Sequence, residues 1–188
     1  MKRWDIINYL IKRYNLTSYL EIGVYKKECF NKVECKLKHC VDPNFPANFN
    51  MTSDDFFNNC EWPYDIIFID GLHTAEQAYK DIINAYDVLS VKGFIVVHDC
   101  NPAAKWHTRP PEEYTEGEEW NGTTYQGFVK FRKGHPELTC FTVDTDYGCG
   151  VITNRIDKPI EFTTWENFDR NRVELLGLIG VDEFKEII

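Results

Sequence analysis

The chain has 188 residues, of which 43% are hydrophobic and 27% charged, and its formal net charge is −9. This length and balance are typical of one soluble globular domain, so we interpret residues 1–188 as a single domain. The negative charge argues against nucleic acid as the main partner, because phosphate binding needs clustered Lys and Arg. The apolar runs are far shorter than the roughly 20 residues of a membrane helix. No signal-peptide core precedes the first helix, so we expect a cytoplasmic protein.

The first third of the chain predicts helices alternating with strands. An apolar stripe at helical spacing indicates a leading helix within residues 1–16, covering 3–14. Short apolar runs and turn residues then predict a strand at 19–24, a helix at 29–35, a strand at 39–42 and a small helix at 53–60. The seven cysteines include no CxxC pair, and we interpret them as reduced thiols in or near the core.

Residues 64–101 carry the strongest pattern in the sequence. An apolar run at 64–69 leads into Asp70, a helical pattern covers 74–89, and a second apolar run at 94–97 leads into His98 and Asp99. Thr74 is the predicted N-cap of a capping box, and Gly93 is interpreted as the stop after the helix. A strand, a helix and a strand form a βαβ unit of a parallel sheet. Polar residues at both strand ends therefore predict a site at one sheet edge.

The last third begins with a long polar stretch. Residues 102–120 lack apolar periodicity and are interpreted as a lid-like loop. A helix at 122–133 follows, and strands at 138–143 and 150–153 predict an antiparallel hairpin. The tail, 159–188, is too apolar for disorder and is expected to pack on the body as helix. Its apolar residues also make a homodimer plausible.

This order of elements describes an α/β protein: a three-layer α/β/α Rossmann-like sandwich on a mostly parallel seven-stranded sheet with a C-terminal antiparallel hairpin. The chain also contains the motifs LEIGV, VDP, SDDFF, FIDGLHTAEQAYKDI, VVHDCNP, WNGTTYQGF, DYGCGVI and NRVELLGLIGVDEF. With these motifs it resembles a class I S-adenosylmethionine-dependent methyltransferase, most closely the small sugar- and natural-product-type O-methyltransferases. The resemblance covers nearly the whole chain and implies S-adenosylmethionine as cofactor and a small-molecule acceptor, which we expect to be a sugar or glycan unit.

The candidate cofactor site lies at the ends of the first two strands. Glu21 and Gly23 end the first, and Asp42 ends the second, a spacing that suits a nucleoside site at the switch point of an α/β sheet. Taken alone, these residues fit a strand cap and a turn equally well. The resemblance adds Asp70 to the cofactor residues and places Ser53 and Asp54 against the adenine, although a helix N-cap explains them as well. Lys27 departs from the family pattern, which has Gly there.

The candidate reaction site combines Asp70, His73, His98 and Asp99. Methyl transfer to a hydroxyl needs a general base or a divalent cation, and we assign catalysis to Asp70, His73 and His98, with His73 as base if no metal binds. For a metal such as Mg²⁺ the candidate ligands are Asp70, Asp99 and Asn101. In catechol-type relatives an Asp-Asn pair follows the fifth strand, whereas Cys100 stands here in place of the Asn.

Two other functions fit parts of the pattern. A catalytically degenerate S-adenosylmethionine-binding module would explain Lys27 and Cys100. A metal-dependent hydrolase could use the same acids and histidines, but the sequence has no HxH or HxxxH pair for a tight metal clamp, and Glu21 and Asp42 would have no role.

Overall fold

The computed structural model describes residues 1–136, 138–153 and 163–188, without the side chain of Lys92. The strands, in chain order, are β1 (Ser18–Ile22), β2 (Leu37–Val41), β3 (Tyr64–Ile69), β4 (Leu89–Val97), β5 (Thr139–Val143), β6 (Cys149–Thr153) and β7 (Leu178–Ile179). The helices are α1 (Arg3–Tyr14), α2 (Glu28–Lys32), α3 (Ser53–Asn58), α4 (Ala75–Asp87), α5 (Thr124–Gly134), α6 (Trp165–Leu176) and α7 (Val181–Ile187). Residues 159–162 of the predicted tail lie outside the described residues.

In the described part of the chain these strands form one seven-stranded sheet in the order β2-β1-β3-β4-β6-β5-β7. Only β6 runs antiparallel to its neighbours, β4 and β5. The predicted fold class is therefore confirmed, including the hairpin of β5 and β6. The order reverses direction between β1 and β3, which makes the carboxyl ends of these two strands the switch point.

Alternating strand residues build a separate core on each face of the sheet. Leu20 and Ile67 face the core formed with α3, α4, α5 and α6. Tyr19 and Ile66 face the core formed with α1, α2 and α7. The sheet is therefore covered on both faces, and its carboxyl edge is left for polar groups.

Two local predictions need correction. Thr74 does cap α4, since its hydroxyl accepts from the Gln77 amide at 3.3 Å. The Gln77 side chain, however, donates to Ser53, Asp54 and Asp81 instead of closing a capping box. Gly93 is not a helix stop, because α4 ends earlier and Gly93 lies within β4 beside a register shift against β3.

The tail packs on the body where it is described. Phe168 and Leu176 are buried in the core that contains α5, and Phe184 is buried against α1. Most of the apolar residues behind the dimer prediction are thus covered by the chain itself, and the dimer stays a prediction. The seven cysteines are present as thiols, as expected. Among the described residues, every helix is too short or too polar to span a bilayer.

Candidate active site

The site lies at the switch point, where the loops after β1 and β3 touch. The Gly23 amide donates to the Val41 carbonyl at 2.9 Å, and the Asp70 amide donates to the Ile22 carbonyl at 2.8 Å. Gly23 has φ +79°, and a Cβ there would lie 2.2 Å from the Asp70 carbonyl oxygen. Only glycine allows both this conformation and this close approach. The predicted cofactor residues Gly23 and Asp70 are therefore adjacent.

Asp42 is the organiser of the loop after β1. Its Oδ2 accepts from the Val24 and Tyr25 amides at 2.9 and 3.2 Å, and its Oδ1 accepts from the Asn44 and Phe45 amides at 2.8 and 2.9 Å. Burial by itself would raise the pKa of Asp42, but these four amide donors outweigh it and lower the pKa. A carboxylate has about four acceptor positions, so a ribose hydroxyl could bind Asp42 only by replacing an amide.

Glu21 lies beneath the same edge, only 2% exposed, and accepts a hydrogen bond from the Tyr19 hydroxyl at Oε2. Burial raises the pKa of Glu21 to about 8, even though the Tyr19 bond acts in the opposite direction. Glu21 therefore keeps its proton to a higher pH than Asp42 does.

Lys27 takes up the conformation that glycine would have. It has φ +61° and precedes α2, and its Nζ lies 5.9 Å from the centre of the Phe30 ring. The loop thus keeps a left-handed turn at this position, with the lysine side chain placed beside Phe30.

Ser53 and Asp54 connect α3 to α4. Ser53 Oγ and Asp54 Oδ1 both accept from the Gln77 side chain, and the second Asp54 oxygen pairs with Lys80 at 2.5 Å. The N-cap of α3 is Thr52 and not Ser53. Adenine contact by this pair stays a prediction.

Asp70, His73, His98 and Asp99 come together in one group, called here the reaction cluster. His98 Nδ1 lies 3.2 Å from Asp70 Oδ1 and 3.1 Å from Asp99 Oδ2. His73 lies between the same two carboxylates, with Nε2 3.3 Å from Asp70 Oδ1 and Nδ1 3.4 Å from Asp99 Oδ2. The two acids are thus joined by two imidazoles.

Electrostatics in the reaction cluster favour charged histidines. Burial by itself would lower the pKa of each imidazole, but Asp99 and Asp70 outweigh it and raise the pKa of His73 above 6.5 and that of His98 well above 6.5. In return His98 and His73 overcome the effect of burial on Asp70 and lower its pKa. His98 lies near three acids, and its pKa is raised more strongly than that of His73. His73 is therefore the better candidate for a base.

The segment 120–123 fixes both His73 and Asp99. Trp120 stacks on the His73 ring with centroids 4.9 Å apart and an interplanar angle of 24°. Asn121, fully buried, donates to Asp99 Oδ1 at 2.8 Å. The Thr123 amide donates to the His73 carbonyl at 2.8 Å. The sequence places Trp120 in the predicted lid-like loop and the following residues in a motif of the resemblance. Their contacts with His73 and Asp99 could not be predicted, because the segment is far from the strand ends in sequence.

Sequence reasoning also missed Arg3, Asp146 and Asp81. Asp146, whose side chain is 1% exposed, lies in the turn between β5 and β6 and pairs with Arg3 Nη1 at 2.9 Å and with Lys2 Nζ at 2.7 Å. Its Oδ2 is also 3.7 Å from His98 Nε2. Asp81, 1% exposed on α4, lies below the Asp70–Gly71 turn, and burial raises its pKa to about 6. No local motif connects residues so far apart in sequence.

Asn101 and Cys100 do not join the reaction cluster. The Asn101 side chain donates to Asp144 Oδ1 at 2.9 Å and accepts from Arg172. Cys100 is fully buried, and its thiol donates to the Val97 carbonyl at 3.4 Å. Asn101 therefore lies apart from the two acids with which it was expected to bind a metal. The described group that could hold a metal ion is Asp70, His73 and Asp99, whose ligand atoms all lie within 4.8 Å of one another.

The lid-like loop has an internal structure built on Arg109. The guanidinium donates to the carbonyls of Trp106, Glu113 and Glu119 and pairs with Glu118 at 2.7 Å. Two short 3-10 turns, Lys105–Thr108 and Pro111–Glu113, lie in this loop. Tyr114 stacks on the outer side of Trp120 at 4.9 Å, which extends the stack that begins at His73. The lid-like loop therefore contacts the candidate base, His73, through the Trp120 ring.

Comparison with known proteins gives one sequence-family match and a set of structures with the same fold. Residues 20–100, which contain Glu21, Gly23, Asp42 and the whole reaction cluster, match the sequence model of a family described as a methyltransferase domain. No protein of curated function matches the chain in sequence.

Solved structures of methyltransferases share the fold. They include an O-methyltransferase from Bacillus cereus in complex with SAH, with 13% identity, a TM-score of 0.57 and coverage of 81% of this chain and 80% of that one. The SAH-bound methyltransferase PaMTH1 from Podospora anserina has 14% identity, a TM-score of 0.55 and coverage of 82% and 78%. The O-methyltransferase TomG from Streptomyces achromogenes, in complex with SAM, has 11% identity, a TM-score of 0.56 and coverage of 81% and 80%.

Proposed function

We propose that this chain, an S-adenosylmethionine-dependent methyltransferase, transfers the methyl group to a hydroxyl oxygen of a small acceptor, in the first place a sugar or glycan unit. The enzyme class rests on the methyltransferase-domain match and the fold. The choice of oxygen and of a sugar rests on the residues around the reaction cluster.

The observation that carries the proposal is a histidine held between two carboxylates beside the loop after β1, residues 23–27, called here the cofactor loop. His73 meets Asp70 on one side and Asp99 on the other, and Asp70 also touches Gly23. S-adenosylmethionine, when bound, supplies an electrophilic methyl group on a positively charged sulfur. To act as a base, His73 must first lose the proton that Asp70 and Asp99 favour. The neutral imidazole then accepts the proton of the acceptor hydroxyl, and the two carboxylates stabilise the resulting imidazolium. The oxygen takes the methyl group while the carbon–sulfur electron pair stays on sulfur.

A divalent cation fits the same residues. One oxygen each from Asp70 and Asp99 and one nitrogen from His73 can converge on one ion, a donor set that suits magnesium or manganese only in part because of the imidazole. The ion would lower the pKa of the acceptor hydroxyl. It would also have to displace any proton from the His73 nitrogen that it binds, because only a deprotonated imidazole nitrogen can coordinate an ion.

The sugar part of the proposal rests on a polar recess that the reaction cluster does not line and that approaches it through Asp146, whose Oδ2 is 3.7 Å from His98 Nε2. A recess of about 510 Å³ opens beside Asp146 and Tyr147, and its other polar lining includes Asn101, Asp144 and Arg172. Paired oxygen and nitrogen groups of this kind suit the adjacent hydroxyls of a sugar, and an aromatic side chain suits its apolar face. The degenerate-module and hydrolase functions are not favoured by the comparisons.

The first experiment is calorimetric titration with S-adenosylhomocysteine, with Mg²⁺ or with EDTA. Transfer of labelled methyl from S-adenosylmethionine to a panel of methyl glycosides, with catechol as the phenolic comparison, then tests the acceptor class. We expect His73→Gln to keep cofactor binding but to lower transfer by about 10²- to 10⁴-fold. The matched control is His39→Gln on the edge strand β2, where His39 bonds the Tyr64 hydroxyl. Full transfer by His73→Gln would refute its role as base, and transfer to catechol alone would refute the sugar proposal.

A further inference from the structure

The edge of the Arg3 guanidinium formed by Nε and Nη2 makes no hydrogen bond with the described residues, although Asp70 and Glu28 oxygens lie 3.8 and 3.9 Å from it. Its Nη1 donates to Asp146 Oδ2 at 2.9 Å, which anchors one side of the guanidinium. The buried Nε has no hydrogen-bond partner. Nη2 reaches only Glu28 Oε2 at 3.9 Å, beyond hydrogen-bond distance. Nε–H and one Nη2–H point in the same direction. This side of the guanidinium, called here the Arg3 fork, can donate two parallel hydrogen bonds to the two oxygens of a carboxylate.

The position of this edge indicates which carboxylate it would take. Nε lies 3.8 Å from Asp70 Oδ2, next to Gly23, and Nη2 faces Glu28, the first residue of α2 after the cofactor loop. Under the proposed function, on which this step rests, Asp42 after β2 would face the nucleoside and the reaction cluster would face the methyl group. Arg3, beside Asp70 and Glu28, would then be the cation available to the amino-acid part of the cofactor.

The other cations of this loop are used elsewhere. Lys26 Nζ pairs with Glu116 at 3.2 Å and lies over the Tyr25 ring. Lys27 Nζ is placed near the Phe30 ring. An amino acid also brings an ammonium group next to its carboxylate, and Asp70 and Glu28, which flank the Arg3 fork, are acceptors for it. The charges around Arg3 are therefore complementary to a zwitterion.

We propose that Arg3 binds the α-carboxylate of the cofactor's amino-acid part through Nε and Nη2, with Asp146 holding the guanidinium in place. The leading helix α1 thereby becomes part of the cofactor site. This role compensates for the loop at Lys27, where the chain lacks the glycine of the related family.

The test compares two probes by calorimetry. S-adenosylhomocysteine has the carboxylate, and 5′-methylthioadenosine lacks the whole amino-acid part. Loss of a two-bond, charged contact predicts that Arg3→Met binds S-adenosylhomocysteine about 10- to 100-fold more weakly, with the affinity for methylthioadenosine unchanged. Arg3→Lys keeps the charge beside Asp146 but loses the fork, and it should lose affinity for the first probe in the same selective way. Arg13→Met, at the far end of α1 where Arg13 bonds the Ile188 carbonyl, is the matched control and should change neither affinity.

Two results would overturn the proposal. One is wild-type affinity of both Arg3 variants for S-adenosylhomocysteine. The other is an equal loss for both probes, because the effect would then be a general disturbance of the site. Failure of the wild-type chain to bind either probe is a different result, and it would refute the proposed function itself. A third probe, decarboxylated S-adenosylmethionine, narrows the assignment to the carboxylate: wild type should discriminate against it, and Arg3→Met should not.

Discussion

The raised pKa of Glu21 can be tested without a substrate, through the pH dependence of the free energy of unfolding. The folded chain holds this carboxyl 2% exposed, and burial raises its pKa from 4.5 to about 8. Between these two values the unfolded chain has lost the proton and the folded chain keeps it. The free energy of unfolding therefore falls as pH rises through this window. At about 1.4 kcal/mol for each pH unit, the full difference between 4.5 and 8 is about 5 kcal/mol.

The variant Glu21→Gln removes this contribution while keeping the shape of the side chain. Urea unfolding of wild type and variant at pH 5, 6, 7, 8 and 9 gives the difference between their free energies of unfolding. Relative to wild type, the free energy of unfolding of Glu21→Gln should rise by about 1.4 kcal/mol per pH unit up to pH 8 and then stay constant. Glu34→Gln, at an exposed position, should run parallel to wild type. A Glu21→Gln profile parallel to wild type over the whole range would refute the reasoning.

Three further substitutions test the loops around the site, all by urea unfolding. Lys27→Gly should raise the free energy of unfolding by about 0.5–1 kcal/mol, because glycine adopts the observed φ of +61° without strain; a loss would contradict the left-handed turn. Asp42→Asn places an amide group against two of its four backbone donors and should cost about 2–3 kcal/mol, and an unchanged stability would refute its role as loop organiser. Asp146→Asn weakens the buried pairing with Arg3 and Lys2 and should cost about 3 kcal/mol. Faster amide exchange in the first turn of α1 would accompany that loss, and unchanged exchange would argue against the anchor.

The elements with strong periodicity could be predicted from the sequence with little error. The leading helix 3–14 and the strand 64–69 have the bounds that were expected, because their apolar residues follow one period and their ends carry turn residues. The tail was harder. Its sequence is helical in pattern, yet Leu178–Ile179 pairs with β5 as the seventh strand, and only the neighbouring sheet edge decides that.

The candidate site divides in the same way. Asp70, His98 and Asp99 could be predicted because parallel strands bring their ends to one edge. The direction of each side chain could not. Asn101 is two residues past Asp99, yet it turns to Asp144 and Arg172, while His73 takes the place expected for it. Arg3 and Asp146 are 143 residues apart, and only the folded sheet brings them together.

The contacts of α1 have a consequence for the speed of folding. The Tyr14 hydroxyl donates to the Ile188 carbonyl, 174 residues later, and Tyr9 packs on Phe184 of α7 at 5.3 Å. The same helix brings Arg3 to Asp146, 143 residues away. Pairing between such distant parts of a chain is slow to form. We therefore expect α1, and with it the Arg3 side of the site, to dock late in folding.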